Sequence, residues 1–169
     1  MHDIHARLRA LGLHLPAPTP TVFAYVPALR HRHTVHVAGQ IPKTSRDTLL
    51  IEGVVGKHVN ETMEREAVKL CVLHALAWVS HLGGGLHRVE QILRVRYFFQ
   101  VSGRPRHLPH PSWLSSLADA GSELLLALFD DCGRHPRSVI GVGELPRNAP
   151  VLVELDAALL PDASGGHPV

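Results

Sequence analysis

The stretch RHPRSVIGVGELPRNAPVLVEL, residues 134–155, decides how the rest of the chain is read. Val139, Ile140 and Val142 carry the branched apolar side chains of a strand, Leu145-Pro146-Arg147-Asn148 reads as a turn, and Val151-Leu152-Val153 as a returning strand. Arg137 stands at the head of this apolar run, directly after a proline. A guanidinium in that place is either decoration on a rim or the anion-binding group of a pocket.

Working back toward the N-terminus, PSWLSSLADAGSELLLALFDDCG (111–133) has the pattern of a helix, with Gly121 a weak point inside it. ILRVRYFFQV (92–101) reads as a strong strand. The longest helical signal is NETMEREAVKLCVLHALAWVSHLGGG (60–85). Asn60 suits an N-cap, Glu61 and Glu64 suit the positive end of the helix dipole, and the glycines from Gly83 stop the helix. Met63, Ala67, Leu70, Cys71, His74, Ala77 and Trp78 share one face at the 3.6-residue period. LLIEGVVGK (49–57) reads as a sheet segment broken by Gly53, and HTVHVAG (33–39) as an alternating strand. LPAPTP (15–20) is too proline-rich for anything but an extended connector, and residues 2–11 fit a short amphipathic helix ended by Gly12.

The resulting order, helix, two strands, helix, strand, helix, two strands, predicts an α+β domain: one mixed sheet with two long helices on one face. The other sheet face carries enough apolar residues to call for a cover, which points to self-association. The 169 residues suit one domain over residues 1–160, with a polar, glycine-rich tail at 161–169 that is expected to fray.

Composition excludes several classes of function. A net charge of +2 is too small for a nucleic-acid footprint. No segment is long and apolar enough to span a bilayer, and the N-terminal residues lack the apolar run of a secretion signal, so a cytoplasmic location is expected. The two cysteines make no disulfide framework and no zinc spacing. Cys71 falls in the apolar stripe of a helix, where a buried structural thiol is the ordinary reading, and Cys132 follows two aspartates, whose charge disfavours a thiolate. The 14 histidines form no ligand set: His31 and His33 are expected on one strand face with His36 on the other, His74 in the core with a hydrogen bond, and His107 and His110 among prolines in a loop. No metal site is read from them. There is no G-x-S-x-G elbow, and Gly83-Gly84-Gly85 closes a helix instead of opening one on a phosphate. What remains are polar positions in apolar strand context: Gly39-Gln40, Arg137 and Glu154.

Taken together, AGQIP (38–42), the glycine pair Gly53 and Gly56, HPRSVIGVGELP (135–146) and VLVELDA (151–157) resemble the Rid family, the reactive intermediate deaminases also called YjgF or endoribonuclease L-PSP proteins. The lead-in LGLHLPAPTPTVFAYVP and the GSELLLALF and GRHPRS stretches look more like a divergent branch of that family than its best-studied core. The resemblance covers roughly residues 4–159. It implies a chorismate-mutase-like α+β fold, a homotrimer with sheets facing inward, and a ligand cleft at each subunit interface. It implies no cofactor. It also implies that Arg137 grips a substrate carboxylate with two parallel hydrogen bonds, as a planar guanidinium does. The substrates implied are enamines and imines such as 2-aminoacrylate, hydrolysed to a 2-keto acid and ammonia. Tyr25, Gly39 and Gln40 would line the pocket with Asp119.

Three departures accompany this resemblance. Ala38 replaces a serine, Asp119 stands where an asparagine starts a helix, and Leu152 occupies the place of the glutamate that holds the hydrolytic water. Glu154, two residues on, returns to the same strand face about 7 Å further along and is the candidate replacement. Two functions are therefore expected in competition. One is a hydrolytic deaminase with Arg137 and Glu154 as its catalytic pair. The other is a protein that binds a small carboxylate, as sensor or carrier, without turning it over. RNA cleavage, attached to the family by name, finds neither a basic stripe nor an aromatic stacking platform.

Overall fold

The computed structural model describes residues 3–57, 60–102 and 110–162. His107 and the tail beyond residue 162 lie outside them. The elements in chain order are α1 (Ile4–Ala10), β1 (Ala28–His31), β2 (Thr34–Gln40), α2 (Glu61–Gly83), β3 (Val89–Gln100), α3 (Trp113–Phe129), β4 (Arg137–Val142) and β5 (Val151–Leu159). They form one five-stranded sheet in the order β1-β2-β5-β3-β4, antiparallel throughout except for the β3–β4 pair. The α+β class and the one-sided helix layer expected from the sequence are both present.

Alternation along β5 explains which face the helices cover. Val151, Val153, Leu155, Ala157 and Leu159 are buried against them, while Leu152, Glu154, Asp156 and Ala158 point the other way and are half-buried. On β3, Val95, Tyr97 and Phe99 continue the buried row, and on β2 Val35 and Val37 do the same. From above, α2 contributes Ala67, Val68, Cys71, Val72, Leu76 and Val79, and α3 contributes Leu117, Ala118, Leu124, Leu125 and Leu128. Asn60 caps α2 by accepting a hydrogen bond from the Met63 N–H at 3.0 Å, and Gly84 closes it with a left-handed φ of 77°.

Several sequence expectations need correction. Residues 49–57 form no strand. Leu49 makes a single bridge to Lys43, and turns follow. The place of the missing strand is taken by Ala28–His31, which pairs with β2 in a hairpin turning at Arg32-His33. His31 and His33 therefore do not share a strand face, because His33 is in the turn. Nor does β5 return beside β4: it inserts between β2 and β3. The longer strand, with five buried apolar residues in alternation, gains more from the centre of the sheet than β4, which carries Ser138 and Gly141 and stays at the edge. Glu64 stands in the first turn of α2, as the helix dipole favours, and is also buried, at 1% exposed. Its Oε1 accepts the Gly56 N–H at 2.6 Å, and burial pushes its carboxyl above the usual range. His74 and Cys71 behave as expected. His74 donates from Nε2 to the Lys43 carbonyl at 2.8 Å, burial lowers its pKa, and Cys71 is fully buried.

Candidate functional site

Register across the β3–β4 pair settles which way Arg137 points. Arg137 lies beside Val95 and Val139 beside Tyr97, so the guanidinium shares the face of two side chains buried beneath the helices. A cation sent toward a helix layer has to find partners there, and α3 supplies them. Nη1 ion-pairs with Asp119 Oδ1 at 2.8 Å and donates to Ser122 Oγ at 3.0 Å, while Nη2 donates to the Ser115 carbonyl at 3.2 Å. Nε donates to no group among the described residues, which leaves one edge of the guanidinium open. Asp119 sits in the second turn of α3, not at its start, and its carboxylate is half-exposed.

Around this arginine a small cavity of about 290 Å³ opens between Ser122, Leu126, Gly133, Arg134, His135 and Arg137. His135 Nδ1 lies 2.6 Å from the Gly133 carbonyl and Nε2 lies 3.2 Å from Ser122 Oγ. Burial lowers the pKa of His135, the Gly133 carbonyl pulls it up, and the nearby Arg137 charge lowers it further. Beneath them the Tyr97 hydroxyl is buried. It approaches Ser122 without making a hydrogen bond of normal geometry, and desolvation pushes its pKa up to about 12.

Tyr25, Gly39 and Gln40 occupy another place. Together with Lys43, Arg147 and Leu152 they line a cleft of about 540 Å³ at the C-terminal end of β2. Gln40 donates from Nε2 to the Ala38 carbonyl at 2.9 Å, and Ala38 donates from its N–H to the Pro27 carbonyl at 2.9 Å. Gly39 lies under Leu152: a Cβ there would sit 2.5 Å from Leu152 Cδ2 and would have to displace that half-buried side chain. The leucine side chain thus fills the space over Gly39. The Arg147 guanidinium donates to the Arg46 carbonyl at 3.1 Å and to that of Asp47, from a backbone with φ 61°. Desolvation and the Arg147 charge together lower the pKa of Lys43.

Glu154 faces neither cavity. It lies on the helix-free face of the sheet, where its carboxylate accepts from Arg96 Nη1 at 3.1 Å. Arg96 Nη2 reaches Asp156 at 3.4 Å, and Asp156 also meets His36 Nδ1 at 2.8 Å. The structure therefore joins Arg137 to Asp119 in one group and Tyr25, Gly39 and Gln40 in a second, with Glu154 apart from both. From β2 through β5 and β3 to β4 is three strand steps, roughly 14 Å at the usual spacing of hydrogen-bonded strands. Sequence reasoning missed Ser122, His135, Lys43 and Arg147. One signal was available: Asp119 and Ser122 are three residues apart in a helical stretch and hence on one face.

Among the described residues no set of His, Cys, Asp or Glu is grouped to hold a metal, and no helix is long and apolar enough to cross a membrane. Comparison with known proteins adds the family. The family model described as "YjgF/chorismate_mutase-like, putative endoribonuclease" matches residues 5–159. The protein TCP17 of Trypanosoma cruzi is 30% identical over 155 residues, covering 91% of each chain. A crystal structure from Shewanella oneidensis, described as "a putative endoribonuclease", is 29% identical over 94% of this chain and 100% of its own, with a TM-score of 0.80. Atu1372 of Agrobacterium tumefaciens, a protein of unknown function, is 27% identical over 92% of each chain, with a TM-score of 0.78. With its sheet order, its helix layer and a match across nearly its whole length, the chain belongs to the YjgF/chorismate-mutase-like family.

Proposed function

We propose that the chain hydrolyses small carboxylate-bearing imines and enamines, of the 2-aminoacrylate class, to a 2-keto acid and ammonia in a cleft completed by a second copy of the chain. The carrying observation is the division of the site residues into two half-sites. Arg137 lies on the helix side of β4, and Tyr25, Gly39 and Gln40 lie three strand steps away. A substrate of a few heavy atoms is too small to touch both within one chain. Two copies in contact bring one group from each to the same ligand.

The open edge of Arg137 receives the substrate carboxylate through two parallel N–H bonds. This fixes the adjacent imine carbon for attack by water, which is where positioning contributes most to rate. As water adds, the electron pair of the C=N bond moves to nitrogen. Protonation of that nitrogen, followed by transfer of the hydroxyl proton to it, lets ammonia leave as the hydroxyl oxygen becomes the keto oxygen.

A second reading, binding without turnover, is favoured by one observation. Leu152 fills the space beside Gly39, and Glu154 is committed to Arg96, so neither of these strand positions offers a cavity a carboxylate in the role of water holder. One experiment separates the two. 2-Aminoacrylate is generated in place from serine by a dehydratase, and keto-acid release is followed with wild type and with Arg137→Ala. The deaminase reading expects acceleration by wild type and a loss on the order of 10²-fold or more in the variant. If wild type gives no acceleration, yet pyruvate raises its melting temperature and not that of the variant, the protein is a binder.

A further inference from the structure

We propose that Ser122 and His135 form the proton-transferring pair of the Arg137 site, doing the work for which no acidic side chain among the described residues lines its cavity. The inference rests on the deaminase reading above and adds to it the groups that activate the water.

The geometry assigns each proton. The Gly133 carbonyl can only accept, so His135 Nδ1 at 2.6 Å must be the donor. In the neutral ring Nε2 then carries the lone pair, and it faces Ser122 Oγ at 3.2 Å. The serine hydroxyl donates to it. Arg137 Nη1 donates to the same oxygen at 3.0 Å. Ser122 Oγ is left with one unused lone pair. This is the arrangement of an oriented base and a hydroxyl, with the cation that anchors the substrate bound to that hydroxyl. All of these groups line one cavity of about 290 Å³, so a ligand seated on Arg137 lies beside Ser122.

The steps balance. A water hydrogen-bonded to the free lone pair of Ser122 gives its proton to Oγ as its oxygen bonds to the imine carbon. The Ser122 proton passes to His135 Nε2 in the same movement. The imidazolium then returns the proton through Ser122 to the nitrogen of the adduct, giving a carbinolamine; the same relay next carries the hydroxyl proton to that nitrogen as the C–N bond breaks, so the hydroxyl oxygen becomes the keto oxygen and ammonia leaves. Imine and water are consumed, and keto acid and ammonia are formed, with no other reactant. The charged and titratable groups around the ring are Arg137 and Arg134 on its own segment, Asp119 on α3, Asp131 (paired with Arg134 at 2.9 Å) and Tyr97 on β3. Burial and Arg137 hold His135 neutral down to a pH below its ordinary value, so the relay is ready at neutrality and fails in acid.

The test compares kcat and KM of wild type, Ser122→Ala, Ser122→Thr and His135→Gln on 2-aminoacrylate generated in place, across pH 5 to 8, with melting temperatures to confirm folding. The expected result is a fall in kcat of about 10²-fold or more for Ser122→Ala and His135→Gln at nearly unchanged KM. Ser122→Thr, which keeps the hydroxyl, should retain most of the activity. The acid limb of the wild-type profile should vanish in His135→Gln. A folded His135→Gln protein with wild-type kcat and the same acid limb would overturn the inference while leaving the deaminase reading in place. A folded wild type without turnover would remove both.

Discussion

Arg137 is tied to α3 by Asp119, and in the proposed site that carboxylate competes with a ligand anion for the guanidinium. A ligand carboxylate arriving at the open edge of the guanidinium meets a cation already paired at 2.8 Å and a second negative charge close by. Both side chains of the pair are partly exposed, so its worth is about 1 kcal/mol or less. Replacing Asp119 by asparagine keeps the size and removes the competing charge. Asp119→Asn is therefore expected to tighten pyruvate binding several-fold, measured by calorimetry, with the gain shrinking as salt is raised. Unchanged or weaker affinity would place the carboxylate away from Arg137. At this scale the sequence was only half legible. Arg137 drew notice because a charge heads an apolar strand, whereas Ser122 and His135 look like ordinary helix and loop residues until α3 is laid over β4.

Helix α3 is the element that builds the Arg137 site, and Gly121 is the reason it can lie so close to the sheet. A Cβ at Gly121 would sit 2.6 Å from the Tyr97 hydroxyl and 3.0 Å from Val72 Cγ2. Two effects of alanine at this position oppose each other. Helix propensity favours alanine over glycine by about 1 kcal/mol. Overpacking against Tyr97, which is fully buried, costs about 1–3 kcal/mol. The clash wins because Tyr97 has no room to retreat, so Gly121→Ala is expected to lower the melting temperature. Adding Tyr97→Phe should recover part of the loss, since it removes both the clashing oxygen and a buried hydroxyl without a partner. Read from sequence, Gly121 was a weak point in a helix. In the fold it is a contact surface.

The whole molecule leaves one sheet face without a helix layer. Leu29, His36, Asp156, Glu154, Arg96, Phe98 and Ile140 lie on it, and Leu29 and Ile140 are 56% and 41% exposed. An uncovered face that is both apolar and charge-paired suits a second copy of the same chain, and the two separated half-sites of the proposed cleft need one. We expect light scattering to give three times the mass of one chain, and Leu29→Glu with Ile140→Glu to give the single-chain mass together with loss of turnover. A wild-type protein that stays at the single-chain mass would remove the shared cleft from the proposal.

Local chemistry determined much of this protein. Alternation in 151–159, the helical stripe of 60–83 and the Asn60 and Gly84 caps are set by residues near one another in the chain, so the α+β class and the helices on one face followed from sequence. What only the tertiary structure decided depends on pairing between distant segments. The sequence of 49–57 is apolar enough for a strand, yet Ala28–His31 took that place because a two-residue turn joins it directly to β2. The direction of Arg137 follows from its register with Val95, 42 positions away in the chain as the numbering gives it. The commitment of Glu154 to Arg96 follows from β5 lying between β2 and β3. Periodicity tells which face of a strand is apolar. Which neighbours meet on that face depends on how the whole sheet distributes its buried area, and that is a property of the assembled fold.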